Sequence, residues 1–383
     1  MTLSYKEIGP SGTVQIHQVT TKKDLKHFIN LPYQLRKNDP YWIPPLKAEQ
    51  KKIFDIRRNS LFKHIKHQFF MLKNNGQFTG RIAAYINPEV NQYLNEKLGF
   101  IGYYECIDDE NSANLLLKTA EKWLSEQGVE KIRGQWNFES QDIGLVIEGY
   151  QVPPVILSSQ NPPFYNDHFQ QFGFGKIKEL FVYGCDVASG YTFPYRFINY
   201  TDLIARRYKI TIRSINMDKL AEETRLIVRL TNEALADNWG FYPVHESEAD
   251  EIARDLKQII NPDIVLFAEA DGQPIGYLLA LPDINSILQN LNGRLFPVGI
   301  FKLISGIKKI NRFRVWSLAI LKPYQQKGVS ALLFRKLNET LGHKMPYVEA
   351  NWVLEDNASM NNAMKHLKFV LIKKYRIYEK RLK

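Results

Sequence analysis

The stretch DIVLFAEADGQPIGYLLALPD, residues 263–283, reads as two apolar runs joined by a short turn, and HQFFMLKNNGQFTGRIAAYIN, residues 67–87, repeats it. Gly76 falls over Gly272, Gln77 over Gln273, Gly80 over Gly276 and Ala84 over Ala280, a constant offset of 196 residues. The turns NNG and ADG are types that allow the positive φ of a tight hairpin, so each stretch is expected to form a β-hairpin. Two further blocks keep the order. Val14, Ile16 and Val19 stand over Ile210, Ile212 and Ile215 at the same offset, and FGKIKELFVY (174–183) parallels FVLIKKYRIY (369–378) at an offset of 195. Three blocks in one order at nearly one spacing describe a tandem duplication.

Two related domains follow, 1–194 and 208–383, with 195–207 between them. There the apolar spacing of Phe197, Ile198, Leu203 and Ile204 predicts a packed linker helix. The second half reads as strand (210–215), helices (219–236 and 248–260), the hairpin, strand (313–321), helix (329–341), strand (347–354), helix (357–367) and strand (369–380). That order is an α/β (α+β) pattern in which helices cover a mixed sheet. Each half carries extra chain in a different place: 139–161 in the first and 284–312 in the second.

Composition agrees with a folded chain of this size. Its 383 residues are 44% hydrophobic, 24% charged and 13% aromatic, which excludes wholesale disorder and fibrous repeats. Fifty-one Lys and Arg against 40 Asp and Glu leave +11, favouring an acidic partner such as a phosphorylated cofactor, nucleic acid or an anionic membrane surface. Two cysteines, Cys106 and Cys185, are too few for a disulfide framework or a four-cysteine zinc site. The opening residues lack the pattern of a secretion signal, and no window offers the ~20 apolar residues of a membrane span. A cytoplasmic location without a membrane span is the expectation.

The chemistry is expected where the strand VWSLAILKPY (315–324) runs through QQKGVS (325–330) into the helix ALLFRKLNETL (331–341). Free N–H groups at a helix start, together with the helix dipole, attract phosphate oxygens. Gly328 permits close backbone approach and Lys327 adds charge at the rim. QQKGVS resembles the Gln/Arg-x-x-Gly-x-Gly/Ala signature of the GNAT superfamily of acyl-CoA transferases, with Ser330 in the place of the last small residue. Asn357 and Phe369, in NASMNNAMKHLKF, resemble the Asn and Phe that flank that family's last helix.

The resemblance implies two tandem GNAT-like domains, each a mixed, mostly antiparallel sheet flanked by helices. It implies that acetyl-CoA or another acyl-CoA is the co-substrate, without a metal, and that a small-molecule amine is the acceptor. The pantetheine arm would pair with backbone at Leu318, Ala319 and Ile320, in a splayed gap beside the strand 347–354. The pyrophosphate would rest on the amides of Gln326, Lys327, Gly328, Val329 and Ser330, with Gln325 and Asn357 completing the site. In the first half IDDENS (107–112) occupies the position of QQKGVS, and Asp108, Asp109 and Glu110 repel a pyrophosphate. That half is read as a degenerate copy completing the acceptor cleft.

Acyl transfer to an amine needs a base for the ammonium. Alternation along YVEANWVL sets Glu349 on one face with Tyr347 and Asn351 and makes it the candidate base; a structural carboxylate paired with a Lys or Arg is the alternative. The family's usual thiolate-protonating Tyr falls at Met364, which leaves His366, Tyr375 and Tyr378 as substitutes. The eight histidines show no HExxH spacing, and no GxSxG elbow is present. The basic amphipathic stretch 295–314 reads as a helix packed on its own domain, a lid or a peripheral membrane contact. The insertion 139–161 reads as a packed surface loop or a segment reaching the second half's cleft. Two other functions stand beside acyl-CoA transfer: aminoacyl transfer from tRNA, disfavoured by QQKGVS so that no nucleic acid is expected, and a non-catalytic CoA-binding scaffold.

Overall fold

The computed structural model describes residues 6–382 apart from 10–11, 139–141, 188, 246–247, 258–259, 298, 308 and 343–346. In chain order the elements are β1 (Lys6–Gly9), β2 (Gly12–Gln18), α1 (Lys22–Leu35), α2 (Lys47–Ile53), β3 (Lys66–Asn74), β4 (Gln77–Ile86), α3 (Pro88–Leu94), β5 (Leu98–Cys106), α4 (Glu110–Glu126), β6 (Lys131–Gly134), β7 (Leu145–Glu148) and α5 (Phe164–Gln171). There follow β8 (Gly175–Asp186), α6 (Arg196–Arg207), β9 (Ile210–Ser214), α7 (Leu220–Ala234), α8 (Ala249–Leu256), β10 (Val265–Ala270), β11 (Gln273–Pro282), α9 (Asn285–Leu288) and α10 (Gly299–Ile307). The chain closes with β12 (Arg312–Ile320), α11 (Val329–Leu341), β13 (Tyr347–Leu354), α12 (Ala358–His366) and β14 (Val370–Arg381).

Both expected hairpins are present. Asn75 and Gly76 turn β3 into β4 with φ of 48° and 80°, and Asp271 and Gly272 turn β10 into β11 with 47° and 77°. All four angles lie in the left-handed region that Asn, Asp and Gly tolerate best.

The chain divides into two compact units. The first comprises Met1–Leu180, Asn285–Ile304 and Lys373–Lys383; the second comprises Phe181–Ile284 and Ser305–Ile372. The sequence expectation kept each half contiguous. Instead the end of β8 counts with the second unit and most of β14 with the first. Helix α6, expected as a linker, lies wholly in the second unit.

In the first unit the strand order is β1-β2-β3-β4-β5-β6-β14, with β7 also on β14. β5 and β6 run parallel, as a helical crossover through α4 requires, and the other registered pairs are antiparallel. Alternation along β3 sends Phe70 and Leu72 into a core shared with Leu116, Ala120 and Leu124 of α4. It sends Phe69 and Met71 to the opposite core beside Phe28 and Leu31 of α1. A sheet covered on both faces reads as continuous apolar runs, which is the character of residues 67–87.

β14 supplies Tyr378, which is 1% exposed, donates to Asn166 Oδ1 at 2.9 Å and accepts from Gln170 Nε2 at 3.1 Å. Truncating so well packed an aromatic costs about 3–5 kcal/mol. Tyr378→Ala is therefore expected to lower the denaturant midpoint by that amount. A change below ~1 kcal/mol would refute the assignment of β14 to the first unit's core.

The second unit has the order β8-β13-β12-β11-β10-β9. Leu333, Phe334 and Leu337 of α11 pack into one core with Leu266 and Ala268 of β10 and Val348 and Ala350 of β13. β12 and β13 are parallel, as the strand, loop, helix and strand read from 313 to 354 anticipates.

Candidate functional site

The ladder between β12 and β13 covers Arg312↔Tyr347 to Val315↔Ala350 and, among the described residues, goes no further, although β12 continues to Ile320 and β13 to Leu354. On its other side β12 stays paired to β11. Leu279 faces Ser317 and Ala280 faces Val315, which leaves Trp316 as a bulge residue. Past this bulge Leu318, Ala319 and Ile320 keep their partners on β11, while the edge toward β13 is open. Among the described residues the β12–β13 ladder therefore ends before Leu318.

α11 starts after this edge. Gly328 is its N-cap at φ +78°, and no side chain caps the helix, so its first amides are left to another acceptor. Gln325 Nε2 donates back to the Ile320 carbonyl at 2.9 Å, fixing the loop to the strand end. Lys327 lies over the rings of Tyr208 and Tyr324 at 5.1 and 5.2 Å. The close approach at Gly328 is made by α6: a Cβ there would collide with Ile204 Cδ1 and stand 3.1 Å from Tyr200. Arg335 of α11 holds the same helix through Thr201 Oγ1 at 2.8 Å and Asp202 Oδ1 at 2.6 Å. The glycine is thus required by helix packing as well as by its left-handed φ. Asn357, expected at the cofactor, caps α12 by accepting from Met360 N at 3.0 Å.

Glu349 is 2% exposed and accepts from Tyr347 Oη at 2.5 Å and from Asn351 Nδ2 at 3.4 Å. Burial, and next the Glu349 carboxylate beside it, push the Tyr347 hydroxyl well above its ordinary pKa. The parallel register sets Arg314, 1% exposed, opposite Glu349. Met364 is fully buried in the second unit's core, and His366 is exposed on α12. Tyr375 and Tyr378, suggested as alternative acids in the second half, belong to the first unit, where Tyr375 Oη donates to the Ser159 carbonyl at 2.9 Å.

The first unit holds what sequence reasoning missed. β5 and β6 pair in register from Leu98↔Lys131 to Phe100↔Arg133, Trp136 N still donates to the Ile101 carbonyl at 2.9 Å, and past that point they part, with Asn137 Oδ1 and Gln135 Oε1 accepting from Tyr103 N and Tyr104 N. A cavity of about 190 Å³ lies where they part, lined by Tyr103, Tyr104 and Glu105 of β5 and by Gln135 and Asn137 beyond β6. Arg36 of the segment after α1, Arg81 of β4 and Tyr165 of α5 complete its polar wall. Asp142, Gly144, Ser158, Ser159, Gln160 and Asn161 line it too, so the insertion 139–161 serves its own unit; residues 139–141 lie outside those described. Tyr165 Oη donates to Glu105 Oε2 at 2.7 Å, and Arg81 Nη2 stands 4.0 Å from Glu105 Oε1. Asp109 is the N-cap of α4, its carboxylate accepting from Ser112 N at 2.8 Å.

No family model matches the chain. It superposes on the tandem GNAT protein from the clavulanic acid biosynthesis pathway with a TM-score of 0.56 at 11% identity, covering 96% of this chain and 98% of that one. The chain has the fold of tandem GNAT proteins. It is 33% identical over 369 residues to Protein YghO of Escherichia coli (strain K12), covering 94% of each chain. It is 30% identical over 387 residues to the bacterial ceramide synthase of Caulobacter vibrioides (strain NA1000 / CB15N), covering 97% of this chain and 98% of the relative. The chain belongs to the family of these two proteins.

Proposed function

We propose that the protein is an acyl-CoA-dependent N-acyltransferase acting in the cytoplasm on a long-chain amine. The observation that carries this reading is the uncapped start of α11 beside the open edge of β12, the place where a phosphorylated thioester needs both free amides and an unpaired strand. The amides of Gln326 to Ser330 hold the pyrophosphate and the edge at Leu318 to Ile320 receives the pantetheine arm. The thioester supplies an activated acyl group. Glu349 takes the proton of the ammonium, the new bond forms between amine nitrogen and acyl carbon, and the C–S bond breaks. A thiol of pKa near ~8.5 leaves with little help from an acid, which fits the apolar Met364 at the family's usual acid position.

A long acyl chain and a lipid amine are favoured over acetyl transfer to a small amine by the relative named as a ceramide synthase, since a ceramide is an N-acylated long-chain amine. The apolar face of α10 supports the same choice: Phe301 and Ile304 are 71% and 62% exposed, with Lys302 exposed between them, as suits an anionic lipid surface. Lys308 of that basic stretch lies outside the described residues. No helix among the described residues is long and apolar enough to cross a membrane.

The test is release of free CoA thiol from acyl-CoAs of graded chain length, with a long-chain amine presented in anionic vesicles. Amine-dependent release, greatest with a long-chain donor, is expected. Equal release with and without amine would overturn transfer, and a preference for acetyl-CoA would overturn the lipid donor.

A further inference from the structure

Three hydroxyls of the second unit form a chain whose polarity follows from counting protons. Thr231 Oγ1 of α7 stands 2.7 Å from the Ile227 carbonyl, which only accepts, so the single Thr231 proton is donated there. Tyr277 Oη of β11 lies 2.7 Å from Thr231 Oγ1 and must therefore donate to it. Ser317 Oγ of β12, 2.7 Å from Tyr277 Oη, must in turn donate to Tyr277. Tyr277 is 1% exposed, and burial, countered by the hydrogen bonds with Ser317 and Thr231, raises its pKa, so it keeps the proton it donates. The chain ends at Ser317 with the hydroxyl proton already used and the oxygen lone pairs left to accept.

The bulge at Trp316 decides where that oxygen points. Val315 belongs to the core beneath α11, and plain alternation would send Ser317 after it. The extra residue turns the strand over, so that Leu318 and Ile320 pack toward that core while Ser317 shares the opposite face with its partner Leu279 and with Tyr277. Arg314, paired with Leu281, lies on this same face, and the parallel register continues it to Glu349. Val348 and Ala350, on either side of Glu349, go to the α11 core, which leaves Glu349 on the face of Ser317. Ser317 is one same-face step beyond Arg314, roughly 7 Å along β12. It is partly exposed and lies past the last rung of the β12–β13 ladder, Val315↔Ala350.

We propose that Ser317 Oγ accepts an N–H of the acceptor amine and turns the nitrogen lone pair toward the acyl carbon. An amine freed of one proton by Glu349 still carries N–H donors, and its nitrogen becomes positive as it attacks. The hydrogen bond to Ser317 therefore strengthens on the way to the transition state. Tyr277 and Thr231 are positioning residues that hold the Ser317 proton away from the amine. A serine free to turn would point that proton at the nitrogen lone pair and tie up the electrons needed for attack. This role rests on the acyltransferase reading.

The test uses the full chain with palmitoyl-CoA and hexadecylamine in anionic vesicles, following free CoA thiol. Ser317→Ala is expected to lower kcat about 10- to 100-fold, the loss of one charge-assisted hydrogen bond. The KM for the amine, the pH profile of kcat and the melting-temperature shift given by palmitoyl-CoA are expected to stay as in the wild type, a split that a merely structural serine does not produce. Ser317→Thr keeps the hydroxyl and is expected to restore most of the rate. Should Ser317→Ala fail to fold, Tyr277→Phe, which lets the Ser317 proton turn to the amine, carries the same expected loss of kcat. Wild-type kcat in the variant that folds, or a threonine variant as slow as the alanine one, would overturn the proposal. A wild-type protein that releases no more CoA with amine than without would sink the acyltransferase reading itself, and the role of Ser317 with it.

Discussion

Ser330→Glu is expected to abolish the rise in melting temperature that acyl-CoA gives the wild-type protein, with little cost to the fold. Ser330 lies in the first turn of α11, where a carboxylate is favoured by the helix dipole by about 0.3–1 kcal/mol. The same carboxylate opposes a pyrophosphate on those amides. Two like charges ~4 Å apart near a protein surface repel by about 4 kcal/mol, roughly a thousandfold in affinity. The obvious alternative, Gly328→Glu, confounds the result, because a side chain there collides with Ile204 and strains a φ of +78° whether or not CoA binds. Calorimetric titration with acyl-CoA decides: wild-type affinity in Ser330→Glu would remove the α11 site from the protein's function.

Glu349→Gln is expected to lower kcat by about 10²- to 10⁴-fold, the usual contribution of a positioned base, and to leave the acyl-CoA shift in place. The competing role is structural, since Arg314 sits opposite in the parallel register and both groups are buried. Leaving one of two neighbouring buried charged groups without the other destabilises by about 3–5 kcal/mol, whereas replacing both by apolar groups is often neutral. The double variant Arg314→Met, Glu349→Leu therefore separates the roles. If it folds as well as the wild type and turns over at the wild-type rate, Glu349 is a structural residue; if it folds and is inactive, the carboxylate belongs to the chemistry.

Much of the second unit was legible because its signals are local. The Asp271-Gly272 turn, the helix beginning at Val329 and the glycine before it are each written within a few residues. What local signals left out was α6, which packs on Gly328 and Arg335 from more than a hundred residues upstream. Asn357 was read for its place in a family motif, while its side chain answers the more immediate demand of capping α12. The first unit's cavity was not legible at all. Arg81, Glu105, Asp142 and Tyr165 have no spacing in common; they meet because β5 and β6 part and the insertion folds over the gap. A charged residue inside each of two otherwise apolar strands, Arg81 in β4 and Glu105 in β5, was the one signal available.

By itself the sequence determined that one fold occurs twice, because turn dipeptides and apolar periodicity act between near neighbours and survive duplication as a readable register. It also showed that the loop before one copy's helix carries Lys327 and Gly328 where the other copy's carries Asp108, Asp109 and Glu110. Only the tertiary structure decided that Lys373–Lys383 complete the first unit and that this unit holds a polar cavity. Those outcomes depend on which strand edges and buried charges meet across a hundred residues or more, and that is settled by packing the whole sheet, not by any stretch of chain within it.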